Sequence, residues 1–184
     1  MRDQGRWPQP AGQDQAERLA ACLERAAQAL APQVAAPAEP APPPAPKTRP
    51  AHGPLVLFAD GGSRGNPGPA GAGAALMDPA GQQVAAWHRY LGITTNNVAE
   101  YQALIMGLEG ALDLGVAELL VRLDSELLVR QLQGVYQVKS PHLRPLFAQA
   151  RALAGRFAVI QFQHIPREQN AIADRLANLA MDQR

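Results

Sequence analysis

Four acidic side chains stand where carboxylates could act together. Asp60 closes the apolar run "LVLFAD", and Asp124 closes a second one, "AELLVRLD". Glu100 lies in "TTNNVAEYQAL", near the opening of a helical pattern, and Asp174 lies in the helical "IADRLAN". If the two apolar runs are neighbouring parallel strands, their C-terminal ends lie side by side, where open α/β sheets place their ligands. Adjacent strands are about 4.8 Å apart, so the two carboxylates would repel and one would be driven to keep its proton. A hard divalent cation relieves that repulsion, and magnesium favours a few carboxylates together with waters and substrate phosphate oxygens.

Each acid also has a plain structural reading. Asp60 before glycine is a common turn residue, and Asp124 before "SELLVRQ" is placed to cap a helix. Glu100 follows Asn97 by three, so "NVAE" reads as a variant capping box. Asp174 reads as a solvated helix charge. Any one of these readings is ordinary, but all four arriving together, two at strand ends and two near helix starts, are less so.

The elements that must position these acids form an α/β pattern. "LVLFAD" is a short strand, and "GAGAALMD", the turn "DPAG" and "QQVAAWHRYLG" make a hairpin, with Pro79 and Gly81 suited to the turn. "TTNNVAEYQALIMGLEGALDLG" is helical, with Tyr101, Leu104, Ile105, Leu108, Ala111 and Leu112 on one face and Gly115 as its stop. "AELLVRLD" is a buried strand that leads into the helical "SELLVRQLQG". "SPHLRPLFAQARALAG" is a helix with Ser140 as N-cap and Pro141 in its first turn. "FAVIQFQHI" is the last strand and "NAIADRLANLAMDQ" the last helix. The order βββαβααβα implies five strands in a mixed sheet, an antiparallel hairpin beside parallel strands joined through helices.

Ahead of this domain the composition changes near residue 54. Residues 37–53 are dense in proline and alanine and read as a semi-rigid linker. Residues 13–31 are a helix candidate whose Leu19, Leu23, Ala26 and Leu30 form a narrow apolar stripe that one helix cannot bury alone. The expected division is an extension over 1–53, a candidate contact for a protein partner or a second copy, and a catalytic domain over 54–184. Cys22 is the single cysteine, so no intramolecular disulfide is available. No run of 18 or more apolar residues occurs, and "MRDQGRWPQP" lacks the apolar core of a signal peptide. A soluble cytoplasmic protein with no membrane partner is expected. Net charge is only +1, so any nucleic-acid binding must come from a local site.

In order and spacing, "FADGGSRGNPGPAGAG", "TTNNVAEYQAL", "VRLDSELLVRQLQG" and "HIPREQNAIADRLAN" together resemble ribonuclease H of type 1, over residues 55 to 181. The resemblance implies a ribonuclease H-like fold and hydrolysis of the RNA strand of an RNA–DNA hybrid by two-metal catalysis. Its catalytic carboxylates fall on Asp60, Glu100, Asp124 and Asp174, which would hold two Mg²⁺ ions about 3.5–4 Å apart, with Mn²⁺ as a substitute. Asp60 would touch both ions, and the other three acids would divide between them. His164, ten residues before Asp174, matches a family histidine that assists proton transfer during product departure.

The resemblance also assigns the substrate contacts. "GGSRGNPG" carries little side-chain bulk, so a nucleic-acid backbone can approach the main chain closely. Gly61, Asn66, Asn96 and Asn97 fall where the family contacts the hybrid in its minor groove, and the 2′-hydroxyl is what separates RNA from DNA there. Thr95 resembles a residue that helps hold a phosphate of the DNA strand, and Gln102 is a further candidate contact. The asparagines also suit turns and caps. A nucleotide P-loop is excluded because no Gly-Lys-Ser/Thr follows the glycines. A 3′–5′ exonuclease on the same fold would carry an acid two residues after the first, where this chain has Gly62.

One departure from the pattern bears on affinity. Well-studied members carry a basic, tryptophan-containing protrusion, whereas this chain has only "GVYQVKSPHLRP", with Lys139 and Arg144. From residue 54 onward Lys+Arg and Asp+Glu both total 11. Hybrid affinity is therefore expected to be modest and salt-sensitive. The alternative to an enzyme is a hybrid-binding module on the same fold that has lost catalysis, against which the four acids count.

Overall fold

The computed structural model describes residues 54–183; the candidate helix over 13–31 and the linker over 37–53 lie outside the described residues. Strands β1 (Leu55–Ser63), β2 (Gly68–Met77) and β3 (Gln83–Thr94) run antiparallel in turn. Helix α1 (Asn96–Asp113) leads to β4 (Glu118–Leu123), which pairs parallel with β1. Helices α2 (Glu126–Leu132) and α3 (Arg144–Ala154) follow, and then β5 (Val159–His164), parallel to β4. A single 3₁₀ turn, Arg167–Asn170, runs into α4 (Ala171–Asp182). The sheet order β3-β2-β1-β4-β5 is the expected five-stranded mixed sheet. Among the described residues no helix is long and apolar enough to cross a membrane.

The main core lies between the sheet and helices α1 to α3, built on Leu57, Leu76, Leu104, Leu108, Leu119, Val121 and Leu132. Helix α1 buries the predicted face apart from the half-buried Leu112, and more besides: Ala103, Met106 and Gly107 are buried too, because α1 crosses β1, β2 and β3 and packs on α3. Helix α4 lies on the opposite face. Its approach is made possible by β2, "GPAGAGAALM", a sequence with little strand preference of its own. A Cβ at Gly71 or Gly73 would overlap the main chain of α4 at Ala173 and Ala177, while Ala74 turns the other way, toward α1. The small residues let two helices close on a single strand.

The structure corrects three local readings. β1 does not stop at Asp60 but runs on to Ser63, because β2 continues to pair with it through Ser63↔Ala70. Pairing of β1 with β4 ends at Phe58↔Arg122, so the sheet opens on one side of Asp60 only. Helix α1 is capped by Thr95, whose hydroxyl accepts from the Val98 N–H at 3.4 Å, and not by an Asn97–Glu100 box, since both of those residues already lie inside the helix. Helix α3 begins at Arg144, with Leu143 at the cap and Pro145 in the first turn. Residues 141–143 form a separate turn instead, in which the Ser140 carbonyl accepts from the N–H groups of Leu143 and Arg144.

Candidate active site

Asp60 sits at the point where β1 parts from β4. The register that pairs Leu55 with Leu119 and Phe58 with Arg122 carries forward to Asp124 opposite Asp60. Two carboxylates from neighbouring parallel chains thus share one end of the opening. Glu100 comes to them from the start of α1, and Gly61 is what allows it. A Cβ on Gly61 would overlap main-chain atoms of Ala99 and Glu100, so only glycine lets the helix lie on the strand here. Gly61 is buried and packs the two elements together.

Asp60, Glu100 and Asp124 each offer a carboxylate oxygen, and these three atoms lie within 4.8 Å of one another. Asp60 is 8% exposed. Burial, followed by the charges of Asp124 and Asp174, pushes its pKa up to about 6. Burial, followed by Asp60 and Asp124, pushes Glu100 up to about 8. Asn96 Nδ2 reaches one Glu100 oxygen at 3.4 Å, while the other, Oε2, is buried with no hydrogen-bond partner. A buried carboxylate oxygen without a donor is costly, and three carboxylates gathered this closely, with Asp60 and Glu100 driven to keep their protons, suit a hard cation. The donor set, all oxygen and all anionic when ionised, fits a hard divalent cation.

Asp174 arrives on the first turn of α4 but stands outside that group of three. Its Oδ1 accepts from Arg167 at 2.7 Å, and its Oδ2 accepts from Asn178 Nδ2 at 3.1 Å. Its charge still acts on Asp60. The Arg167 guanidinium that holds Asp174 also offsets the charge of Asp60 and Glu100. The sequence reading missed Arg167 and also Asn170. Asn170 is fully buried, and its Nδ2 donates to Asp124 Oδ1 at 2.7 Å and to the Ala59 carbonyl at 3.0 Å. It thereby ties Asp124 to β1 beside Asp60. Both residues stand in "PREQN", where neither a motif nor a periodicity marks them out.

His164 is the last residue of β5, exposed, and paired across the sheet with Leu123 beside Asp124. The substrate candidates divide. Asn66, Thr95 and Asn97 line one open groove of about 520 Å³, together with Ser140, read from the sequence only as a helix cap, and His142, which the sequence reading did not single out. Asn96 is occupied internally: its N–H donates to Asn66 Oδ1 at 3.1 Å while its side chain holds Glu100. It links the groove to the acids. Gln102 is half-buried on α1 and is not among the residues that line the groove.

This sheet, with its acids gathered at the opening beside the central strand, places the chain among the ribonuclease H-like proteins. The sequence profile of the family described as reverse transcriptase-like matches residues 58–180. The chain belongs to that family and, within it, to ribonuclease H of type 1. It is 50% identical over 129 residues to the bifunctional protein Rv2228c of Mycobacterium tuberculosis, covering 70% of this chain and 35% of that one. The structure of the N-terminal RNase H domain of Rv2228c, solved as a fusion with maltose-binding protein, matches with a TM-score of 0.68 at 49% identity, covering 70% of this chain and 94% of that one. Ribonuclease HI of Halobacterium salinarum is 43% identical over 130 residues, covering 71% of this chain and 65% of that protein. The crystal structure of RNase H1 from that archaeon matches with a TM-score of 0.69, over 72% of this chain and all of that one. LC11-RNase H1, solved in complex with an RNA/DNA hybrid, matches with a TM-score of 0.67 at 47% identity, over 70% of this chain and 97% of that one. The chain spans about a third of the length of the mycobacterial relatives it matches.

Proposed function

We propose that this chain is an endoribonuclease that hydrolyses the RNA strand of RNA–DNA hybrids, with Mg²⁺ as the ion its acids hold and Mn²⁺ as a substitute. The observation that carries this reading is the convergence of Asp60, Glu100 and Asp124 within 4.8 Å beside an orphaned carboxylate oxygen. The complex of LC11-RNase H1 with an RNA/DNA hybrid supports the choice of substrate. Asp60, Glu100, Asp124 and, once freed from Arg167, Asp174 would hold two ions. When bound, such ions activate water and offset charge at the leaving oxygen.

The chain's own groups do the rest. Asn170 holds Asp124 in register with Asp60, so the acids are oriented before substrate arrives. The groove lined by Asn66, Thr95 and Asn97 offers neutral donors and acceptors to a sugar–phosphate backbone, and the 2′-hydroxyl supplies the distinction of RNA from DNA. His164, exposed beside the Asp124 strand end, is placed to shuttle a proton as product leaves. Residues 54–184 form the catalytic domain in this reading. Residues 1–53 engage a protein partner or a second copy, and the protein works in the cytoplasm.

A uniformly labelled hybrid incubated with and without Mg²⁺ tests this directly. Cleavage of the RNA strand is expected only with the ion, with duplex DNA left intact. Binding of the hybrid without cleavage would favour the non-catalytic module. Equal cutting of both duplexes would point to another class of nuclease.

A further inference from the structure

Glu100 must be held at a fixed distance from Asp124, yet the two come from different elements, the start of α1 and the turn before α2. Helix α2 is a poor anchor by itself. It has seven residues and no side-chain hydrogen bond at its N-cap Ser125, and helices this short have little stability of their own. One polar contact crosses between the two helices in the core. Tyr101, next to Glu100, donates its hydroxyl to Gln131 Oε1 at 2.7 Å. Tyr101 is 2% exposed and Gln131 5%.

The surroundings tie this contact to the acids. Asn97, Glu100, Tyr101, Ser125 and Gln131 all line one small cavity between α1 and α2. The other residues of α1 and α2 in this part of the molecule are apolar: Leu128 lines the same cavity, and Leu104, Val129 and Leu132 belong with Tyr101 to one hydrophobic core, whose packing is non-directional. Such packing resists separation of the helices but does little to stop α2 sliding along α1. A short buried hydrogen bond fixes that coordinate.

We infer that the Tyr101–Gln131 hydrogen bond is a positioning clasp that sets the spacing between Glu100 and Asp124 and so tunes the affinity of the acidic site for divalent metal. Neither residue touches the ion or the substrate. The inference rests on the metal-site reading above, and its test does not depend on hybrid cleavage.

The test is calorimetric titration of Mg²⁺ into the full chain, beside thermal unfolding in EDTA. Tyr101→Phe keeps the ring and removes only the donor. Its Mg²⁺ affinity is expected to fall about tenfold, the lower end for loss of an outer-shell partner, with a modest drop in Tm. The double variant Tyr101→Phe/Gln131→Leu removes both polar groups and should regain much of the thermal stability while its metal affinity stays low. Unchanged Mg²⁺ affinity in Tyr101→Phe would overturn the clasp, as would joint recovery of affinity and stability in the double variant. If wild-type chain binds Mg²⁺ but leaves the hybrid uncut, the proposed activity falls while the clasp is still judged by the same titrations.

Discussion

Asp60→Asn is expected to abolish Mg²⁺-dependent cleavage of the hybrid while binding of the hybrid persists. Asp60 is the most buried of the acids and stands nearest the point where β1 and β4 separate. The asparagine fills the same volume, and the β1–β2 pairing at Gly73 uses only backbone, so the fold has no reason to change. What is lost is one anionic oxygen donor at the centre of the group of three. Charge stabilisation by bound metal is worth several kcal/mol, and each 1.4 kcal/mol is about tenfold in rate, so a loss of about 10³-fold or more is expected. The groove that meets the nucleic-acid backbone is built from Asn66, Thr95 and Asn97 and does not include Asp60. Single-turnover cleavage and a filter-binding titration on one preparation decide the matter. Turnover comparable to wild type would remove Asp60 from the metal site, and loss of hybrid binding would mean that the substitution acts on the fold or the groove.

The second large effect is on stability without metal. In the folded protein Asp60 titrates at about 6 and Glu100 at about 8, each well above its ordinary value. An acid whose folded pKa is raised binds its proton more tightly folded than unfolded. Between about pH 4 and pH 8 the folded chain therefore carries more protons than the unfolded chain, and stability falls as pH rises through that window. Each tenfold change in proton affinity is about 1.4 kcal/mol; the raised values of Asp60 and Glu100 set an upper bound of about 8 kcal/mol, and a cost of several kcal/mol is expected by the alkaline end. For a domain of this size that corresponds to a fall in Tm on the order of 10 °C. In EDTA the Tm is expected to drop from pH 5 to pH 8, and saturating Mg²⁺ should remove most of the drop by supplying the missing positive charge. Asp60→Asn and Glu100→Gln should each flatten the EDTA profile. A Tm that holds level across this range in EDTA would mean that the acids are better solvated than their burial indicates.

Much of this arrangement was legible in the sequence because the relevant signals are local or periodic. The apolar runs ending at Asp60 and Asp124, the helical face from Tyr101 to Leu112 and the stop at Gly115 each reflect a short-range preference that tertiary packing reinforced. The extension of β1 past Asp60 was not legible, because "GGS" has no strand preference and is extended only by pairing with β2. The start of α3 was misplaced because "SPHLRP" holds two prolines, each fit for a first turn, and only burial of Leu143 selects the second. Arg167 and Asn170 went unnoticed for a different reason. Their work is done across space, on Asp174 and on Asp124 with Ala59, and a polar residue that supports another polar residue leaves no periodic trace. The hold of Arg167 on Asp174 is likewise a three-dimensional fact that four matching acids in a sequence do not reveal.

The gathering of these acids into one metal site is tested most directly by anomalous diffraction from crystals soaked in Mn²⁺. Metal density is expected in contact with carboxylate oxygens of Asp60, Glu100 and Asp124, with Asp174 turned away from Arg167 toward the same centre. Saturating Mn²⁺ that leaves those oxygens bare, with Asp174 still paired to Arg167, would contradict it.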